Sequence, residues 1–298
     1  MLDGAAERFC RRVPTPAHDY DAILETISAL VAAAERECGA CTSVGIGIPG
    51  SLSPRDGRVR NANTTVLNGR GFGSDIVARL GRPVAVANDA NCLALSEAFD
   101  GAAAGAEMTF GVILGTGVGG GVVVDGRLRA GSNGVAGEWG HLPLPWPRDD
   151  ERPGPACYCG RFGCIETFLS GPGFARDDSL AAEAPGARTL REPRDIVRAA
   201  QGGEPRAEAS LERYLDRLAR GFATIVDVLD PDVFVLGGGM SHAVPLERLA
   251  DRVLGYAFTD VLQTRFVRAA HGDASGVRGA ARLSAAPEAD FAAAKRRP

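Results

Sequence analysis

An α/β fold is predicted for this chain by two features. Short runs of Val, Ile and Leu, closed by glycine or proline, alternate with longer stretches whose apolar residues recur at helical spacing. Five glycines in seven residues, at 115–121, lie between two such apolar runs and so join strand to strand. Residues 21–37 place Ile23, Ile27, Leu30 and Val31 on one face and read as an amphipathic helix. Val44-Gly45-Ile46-Gly47-Ile48 reads as a buried strand stopped by Pro49-Gly50, and Pro54-Arg55-Asp56-Gly57 is turn chemistry. Ser74 is expected to cap a helix ending near Gly81. A strand at 84–87 then leads to Asn88-Asp89-Ala90-Asn91, which opens a helix running to about Phe99. The strands at 110–114 and 122–124 flank the glycine run, and Asp125-Gly126 is a hairpin turn. Residues 177–206, rich in Ala, Pro, Arg and Glu, read as a variable, partly mobile segment. A long helix covers 207–229, and Val233-Phe234-Val235-Leu236 is a buried strand ending in Gly237-Gly238-Gly239. A division into two lobes, 1–105 and 106–298, is expected among the small residues between Phe99 and Met108.

The bulk properties exclude several classes of function. A 45% hydrophobic and 23% charged composition is that of a globular protein, and 298 residues suffice for two cores. No apolar run approaches the roughly 20 residues of a membrane helix. A net charge of −4 argues against a nucleic-acid surface. The opening residues lack a basic segment followed by an apolar one, so a cytoplasmic location is expected.

Of the seven cysteines, Cys157, Cys159 and Cys164 fall within eight residues, just downstream of Gly137-Glu138-Trp139-Gly140-His141. Three thiols so close meet at one point only through a tight turn, which Gly160 and Gly163 permit. With His141 they make a closed tetrahedral zinc set, and residues two apart bridge as a disulfide only with strain. Cys10, Cys38, Cys41 and Cys92 show no ligand spacing and read as small buried hydrophobes.

Gly115-Thr116-Gly117-Val118-Gly119-Gly120-Gly121 lacks the following helix that a Walker loop or dinucleotide fingerprint needs. Its backbone N–H groups and the Thr116 hydroxyl can still cradle phosphates, against the alternative of a hairpin with no ligand. Asn88-Asp89 stands at a strand end, where a carboxylate can take a proton from an attacking hydroxyl, although an aspartate there is also a common helix cap. Glu138 and Glu166 flank the metal set, and with Asn63 and Asn88 they could hold the hydroxyls of a sugar.

Together these residues resemble the ROK family of sugar kinases, whose fold is the two-lobed, actin-like, hexokinase-type (ribonuclease H-like) α/β architecture. The resemblance runs from about Arg11 to Arg282. It rests on Gly47-Ile48-Pro49-Gly50, Ala87-Asn88-Asp89-Ala90-Asn91, Leu114-Gly115-Thr116-Gly117-Val118-Gly119 and Gly137-Glu138-Trp139-Gly140-His141. It rests equally on Cys157-x-Cys159-Gly160-x-x-Gly163-Cys164-Ile165-Glu166, on Asp230-Pro231-Asp232 and on Val235-Leu236-Gly237-Gly238-Gly239. Within the family, residues 61–69 and 140–146 look most like bacterial fructokinases.

The resemblance implies ATP- and Mg²⁺-dependent phosphorylation of a hexose, fructose to fructose 6-phosphate, by a homodimer. Glucose, mannose or an N-acetylhexosamine are the alternative sugars. It makes Asp89 the catalytic base and lines the sugar site with Asn63, Asn88, Glu138, His141 and Glu166. ATP phosphates fall to Gly115, Thr116, Gly117, Val118, Gly119, Gly120, Gly121 and Val122, and the adenosine side to Gly237, Gly238 and Gly239. A zinc loop spans 137–166, with His141, Cys157, Cys159 and Cys164 as ligands.

One departure stands out. Family kinases open with a strand and a D-x-G-G-T-K loop, which this sequence lacks, and Met1-Leu2-Asp3-Gly4 resembles the turn after that strand. A chain without the loop is expected to bind sugar but to turn it over poorly. That leaves a catalytically impaired sugar-binding protein as a rival reading. A sugar-sensing repressor is a second rival, with no room for a DNA-binding domain before Arg11.

Overall fold

The computed structural model describes residues 1–182 and 190–283. A short hairpin of β1 (Leu2–Asp3) and β2 (Ala6–Glu7) precedes α1 (Tyr20–Cys38). Helix α1 starts where the Asp19 carboxylate accepts from the Ala22 N–H at 3.0 Å, and it buries Tyr20, Ile23 and Leu24. Strands β3 (Val44–Ile48) and β6 (Val84–Asn88) pair in parallel, joined through the hairpin β4 (Ser51–Leu52) and β5 (Val59–Arg60) and helix α2 (Phe72–Leu80). Ser74 lies inside α2 and does not cap it. Gly71 holds the N-cap position, and the Ser74 hydroxyl donates back to the Gly71 carbonyl at 2.7 Å.

Helix α3 (Asp89–Asp100) follows β6 without a loop. A five-stranded sheet then forms in the order β11-β10-β7-β8-β9. Its members are β7 (Met108–Leu114), β8 (Val118–Val124), β9 (Arg127–Leu128), β10 (Val233–Gly237) and β11 (Arg265–Arg268). β7, β10 and β11 run parallel, whereas β8 is antiparallel to β7 and β9 to β8. The larger core buries Phe110, Trp139, Phe222 and Phe234 in one aromatic group, between this sheet and α4 (Ile165–Leu169) through α8 (Leu246–Leu254). The last described helix, α9 (Ser275–Arg282), returns to pack on β3 and α3. No described helix is long and apolar enough to cross a membrane.

The segment 177–206, expected to be variable and partly mobile, is largely helical where it is described. Residues 183–189 lie outside the described residues, but α5 (Gly171–Leu180), α6 (Pro193–Gln201) and the start of α7 (Pro205–Leu229) fill the rest. Arg191 contacts Asp178 at 2.7 Å and Glu204 at 2.8 Å, and Arg206 reaches Asp178 at 3.4 Å.

A related buried network anchors the excursion between His141 and the cysteines. Glu151 is 3% exposed and accepts at 2.8 Å from both Arg217 and Arg220 of α7. Burial alone would raise its carboxyl pKa, but hydrogen bonds from Arg220 and Arg217 and their charge bring it down to about 2. The stabilisation is therefore present above the unfolded value of about 4.3 and lost as pH falls through the folded value. Glu151→Ala leaves Arg217 to Asp177 and Arg220 to Asp216 alone, and is expected to lower stability by about 1–3 kcal/mol. Urea unfolding at neutral pH measures the loss, and the gap between variant and parent should shrink between about pH 4 and pH 2.

Candidate active site and metal centre

Glycines at close approaches set the geometry of the site. A Cβ on Gly119 would stand 3.2 Å from Ala90 Cβ, and one on Gly121 would stand 2.7 Å from the Ala90 carbonyl oxygen. Strand β8 thus has no side chains where the first turn of α3 lies on it, and Asp89 is held over the end of the sheet. The expected phosphate loop is correspondingly shorter. Gly115, Thr116 and Gly117 form the turn, while Val118, Gly119, Gly120, Gly121 and Val122 belong to β8. Gly120, Gly121 and Val122 are buried and serve packing, so their assignment to ATP phosphates is withdrawn. Gly238 sits beside the turn, where a Cβ would come 2.3 Å from the Leu114 carbonyl oxygen. The glycines at the ends of the parallel strands β7 and β10 therefore adjoin, in the crevice where open α/β sheets bind ligands.

Asn88, not Asp89, is the N-cap of α3. Its Oδ1 accepts from the Ala90 N–H at 2.8 Å, and its Nδ2 donates to the Gly50 carbonyl at 3.0 Å. Asp89 Oδ1 also accepts from Ala90 N–H, at 2.8 Å, and its second oxygen carries no bond among the described residues. Protein mass packed around Asp89 desolvates its carboxyl and raises the pKa, against the lowering effect of these N–H groups.

The segment bearing Glu138 and His141 is pinned to β8. A Cβ on Gly140 would lie 2.1 Å from the Val118 carbonyl oxygen, and Trp139 Nε1 donates to the Gly119 carbonyl at 2.9 Å. Trp139 stacks on Phe222 with centroids 5.4 Å apart. Glu138 is half-buried, which raises its pKa; His141 and Arg60 act to lower it, and the charges of Glu166 and Asp89 raise it further. Glu138 therefore feels the charges of both carboxylates and of His141. Glu166, at the start of α4, accepts from the Val118 N–H at 2.9 Å and so ties the glycine turn to the metal loop. Asn63 is exposed and directly follows Ala62, which with Arg60 lies against Gly50, and the described residues give it no hydrogen bond.

His141, Cys157, Cys159 and Cys164 place one ligand atom each within 4.8 Å of one another. Cys159 and Cys164 sulfurs stand 3.6 Å apart, and Cys157 Sγ is 3.5 Å from His141 Nδ1. Zn–S and Zn–N bonds of about 2.3 and 2.0 Å require tetrahedral edges of about 3.5–3.8 Å, so the set fits zinc. All three cysteines are free thiols, and Gly160 and Gly163 take φ of +85° and +67° at the turn between them. Burial pushes the Cys164 thiol up to about 12, so three convergent sulfurs ionise together only against a cation. One residue was missed. Tyr158, 70% exposed, places its hydroxyl 3.0 Å from His141 Nε2, the nitrogen that faces away from the sulfurs. Its position inside the C-x-C pair was the available signal.

The ROK family profile matches residues 4–286. The chain belongs to the ROK family. It is 43% identical over 278 residues to an Escherichia coli protein named N-acetyl-D-glucosamine kinase, covering 92% of this chain and 90% of that one. A Salmonella gallinarum protein of the same name is 41% identical over 284 residues, with the same coverage. Among solved structures, a ROK hexokinase from Thermus thermophilus superposes with a TM-score of 0.78 at 33% identity, covering 91% of this chain and 88% of that one. A ROK glucokinase from Streptomyces griseus, in complex with glucose and AMPPNP, gives 0.72 at 30%, covering 91% and 89%. The hexokinase-type fold expected from the sequence is thus the fold of this chain.

Proposed function

We propose that this ROK member is a carbohydrate kinase that transfers the γ-phosphoryl group of ATP to a hexose hydroxyl, with N-acetyl-D-glucosamine as its sugar. The observation that carries the reaction is that the segments bearing Asp89, Glu138, His141 and Glu166 all lie against β8 beside the Gly115–Gly117 turn. The sugar hydroxyl attacks the γ-phosphorus, its proton passes to the open oxygen of Asp89, and the bond to the β-phosphate oxygen breaks to release ADP. Asp89 can hold that proton because its surroundings disfavour the charged form. Glu138, Glu166 and His141 Nε2 orient the remaining hydroxyls, and the backbone of residues 115–117 with Gly238 and Gly239 receives the nucleotide. Zinc would be held by His141 Nδ1 and the three sulfurs, and its chemistry there is structural, fixing the loop from which His141 and Glu166 project. Mg²⁺ would be held chiefly by the ATP phosphates with a carboxylate of the site, and there it would offset the charge on the transferred group. We further place the lobe boundary at 105/106, with α9 closing the first lobe.

N-acetyl-D-glucosamine replaces the fructose expectation because relatives above 40% identity are named for it. ADP release with N-acetyl-D-glucosamine, N-acetyl-D-mannosamine, glucose, mannose and fructose tests the assignment, since the ranking of kcat/KM holds at any absolute rate. N-acetyl-D-glucosamine is expected to lead by at least about tenfold, the scale of one hydrogen-bonded substituent. Fructose in first place overturns the sugar, and no ADP release with any hexose overturns the reaction.

A further inference from the structure

Between β3 and the site stands the hairpin β4–β5, and one side chain of it reaches across to the segment that carries Glu138. Arg60 Nη2 donates to the Asn133 carbonyl at 2.8 Å and to that of Gly134 at 3.4 Å, while its Nε donates to Ser51 Oγ at 3.2 Å. The hairpin's other end is tied to Asn88. Asn88 Nδ2 bonds the Gly50 carbonyl, and a Cβ on Gly50 would stand 2.5 Å from the Arg60 carbonyl oxygen. A continuous physical path thus runs from Asn88, beside Asp89, through Gly50 and Arg60 to Asn133, and on to Glu138.

The segment it reaches has little else to hold it. Residues 131–133 and Val135 are exposed, and the internal bonds are few: Gly134 N–H to Gly131, Ala136 N–H to Ala130 and Glu138 N–H to Val135. A stretch with so little buried apolar contact opens easily unless something outside it pins it. Gly137 against Gly120 is one pin, and Arg60 is another. The Arg60 charge also bears on Glu138, where Glu166 and Asp89 add like charge.

We propose that Arg60 is a positioning residue for the sugar: its guanidinium clamps the Glu138 segment to the hairpin that Asn88 holds, and so fixes the gap across which the hexose is gripped. The inference rests on the kinase reading above. It predicts a selective defect, because the clamp touches the sugar side and none of the glycine turn.

Arg60→Ala and Arg60→Lys in the full chain test it with two readouts. Hydrogen exchange without ligand should show the amides of 131–138 exchanging about tenfold faster in Arg60→Ala, as expected for losing charged hydrogen bonds, with α7 unchanged. Calorimetry and kinetics should show N-acetyl-D-glucosamine Kd and KM raised about tenfold or more, with ATP KM within about twofold. Arg60→Lys, which keeps charge and one donor direction but not the fork, should fall between. Unchanged exchange overturns the clamp. Faster exchange with unchanged sugar affinity, or sugar and ATP KM rising together, overturns the positioning role. A parent chain that binds no hexose defeats the kinase reading and this role with it, and the ligand-free exchange result tells that failure apart from a missing clamp.

Discussion

Asp89→Asn is expected to lower kcat by at least about a hundredfold while sugar binding largely survives, the scale set by removing a general base. Asparagine keeps the side chain's shape and the oxygen that accepts from Ala90 N–H, so the start of α3 is undisturbed. What it loses is the capacity to take a proton. Stability separates this role from that of a helix cap. Asp89 is exposed, but desolvation by the protein packed around it still raises its pKa, so the folded state favours the protonated acid. Such a group stabilises fully below its unfolded pKa of about 3.9, and the contribution is lost as pH rises through the folded value. At neutral pH the charged side chain therefore costs stability, and Asp89→Asn should melt at or above the parent's temperature. Asparagine caps a helix as well as aspartate does, so a capping role would show instead in Asp89→Ala, which would lose about 1 kcal/mol. The pH profile gives a third reading: the acid limb of kcat/KM should lie above the ordinary aspartate range, because the base works only when deprotonated. Near-parental turnover in the variant would refute the assignment, and Asn88, already the cap, would leave Asp89 with no role.

The strands and α3 were legible because β-branched runs closed by glycine or proline have few other readings. Val44–Ile48 is matched to the residue. The metal set was legible for a different reason, since ligand chemistry is carried by residue type and spacing alone. Misreadings arose where a local pattern has its cause in a distant partner. Gly119 and Gly121 look like part of an open loop, yet they form a strand face on which Ala90 and Ala94 lie, while Gly120 faces Phe110 and Gly137. The small residues on α3 were the matching signal, and they carry it only once helix and strand are brought together. The Ala, Pro, Arg and Glu content of 177–206 gives no sign of helices α5 and α6 or of Asp178 and Glu204 beside Arg191. Arg60 was invisible to sequence reasoning, because its partners at Asn133 and Gly134 are backbone carbonyls that any residue would supply. The preferred hexose is settled by single hydroxyl or acetamido contacts, below the resolution of motif spacing.

Protein purified without chelator is expected to carry about one zinc per chain, and Cys159→Ser to abolish it. This position gives the cleanest test because Cys159 is exposed, so serine there disturbs no buried packing. Structural damage in the variant must then come through the metal. The path for that damage is short. Cys164 precedes α4 as its N-cap residue, and Glu166 in the first turn of α4 holds Val118 N–H beside the glycine turn. Without a cation to offset three converging sulfurs, the loop loses its common centre, and α4 with it loses its fixed start. Faster hydrogen exchange across 157–168, a melting temperature lower by on the order of 5–10 °C and a raised sugar KM should appear together. Chelation of the parent protein should reproduce all three changes, and re-addition of zinc should reverse them. Regions anchored elsewhere, such as α1 with its core of Tyr20, Ile23 and Leu24, should exchange as before. Parent protein that contains no metal, or a Cys159→Ser variant that retains a full zinc, would show that the four ligand atoms converge for packing alone.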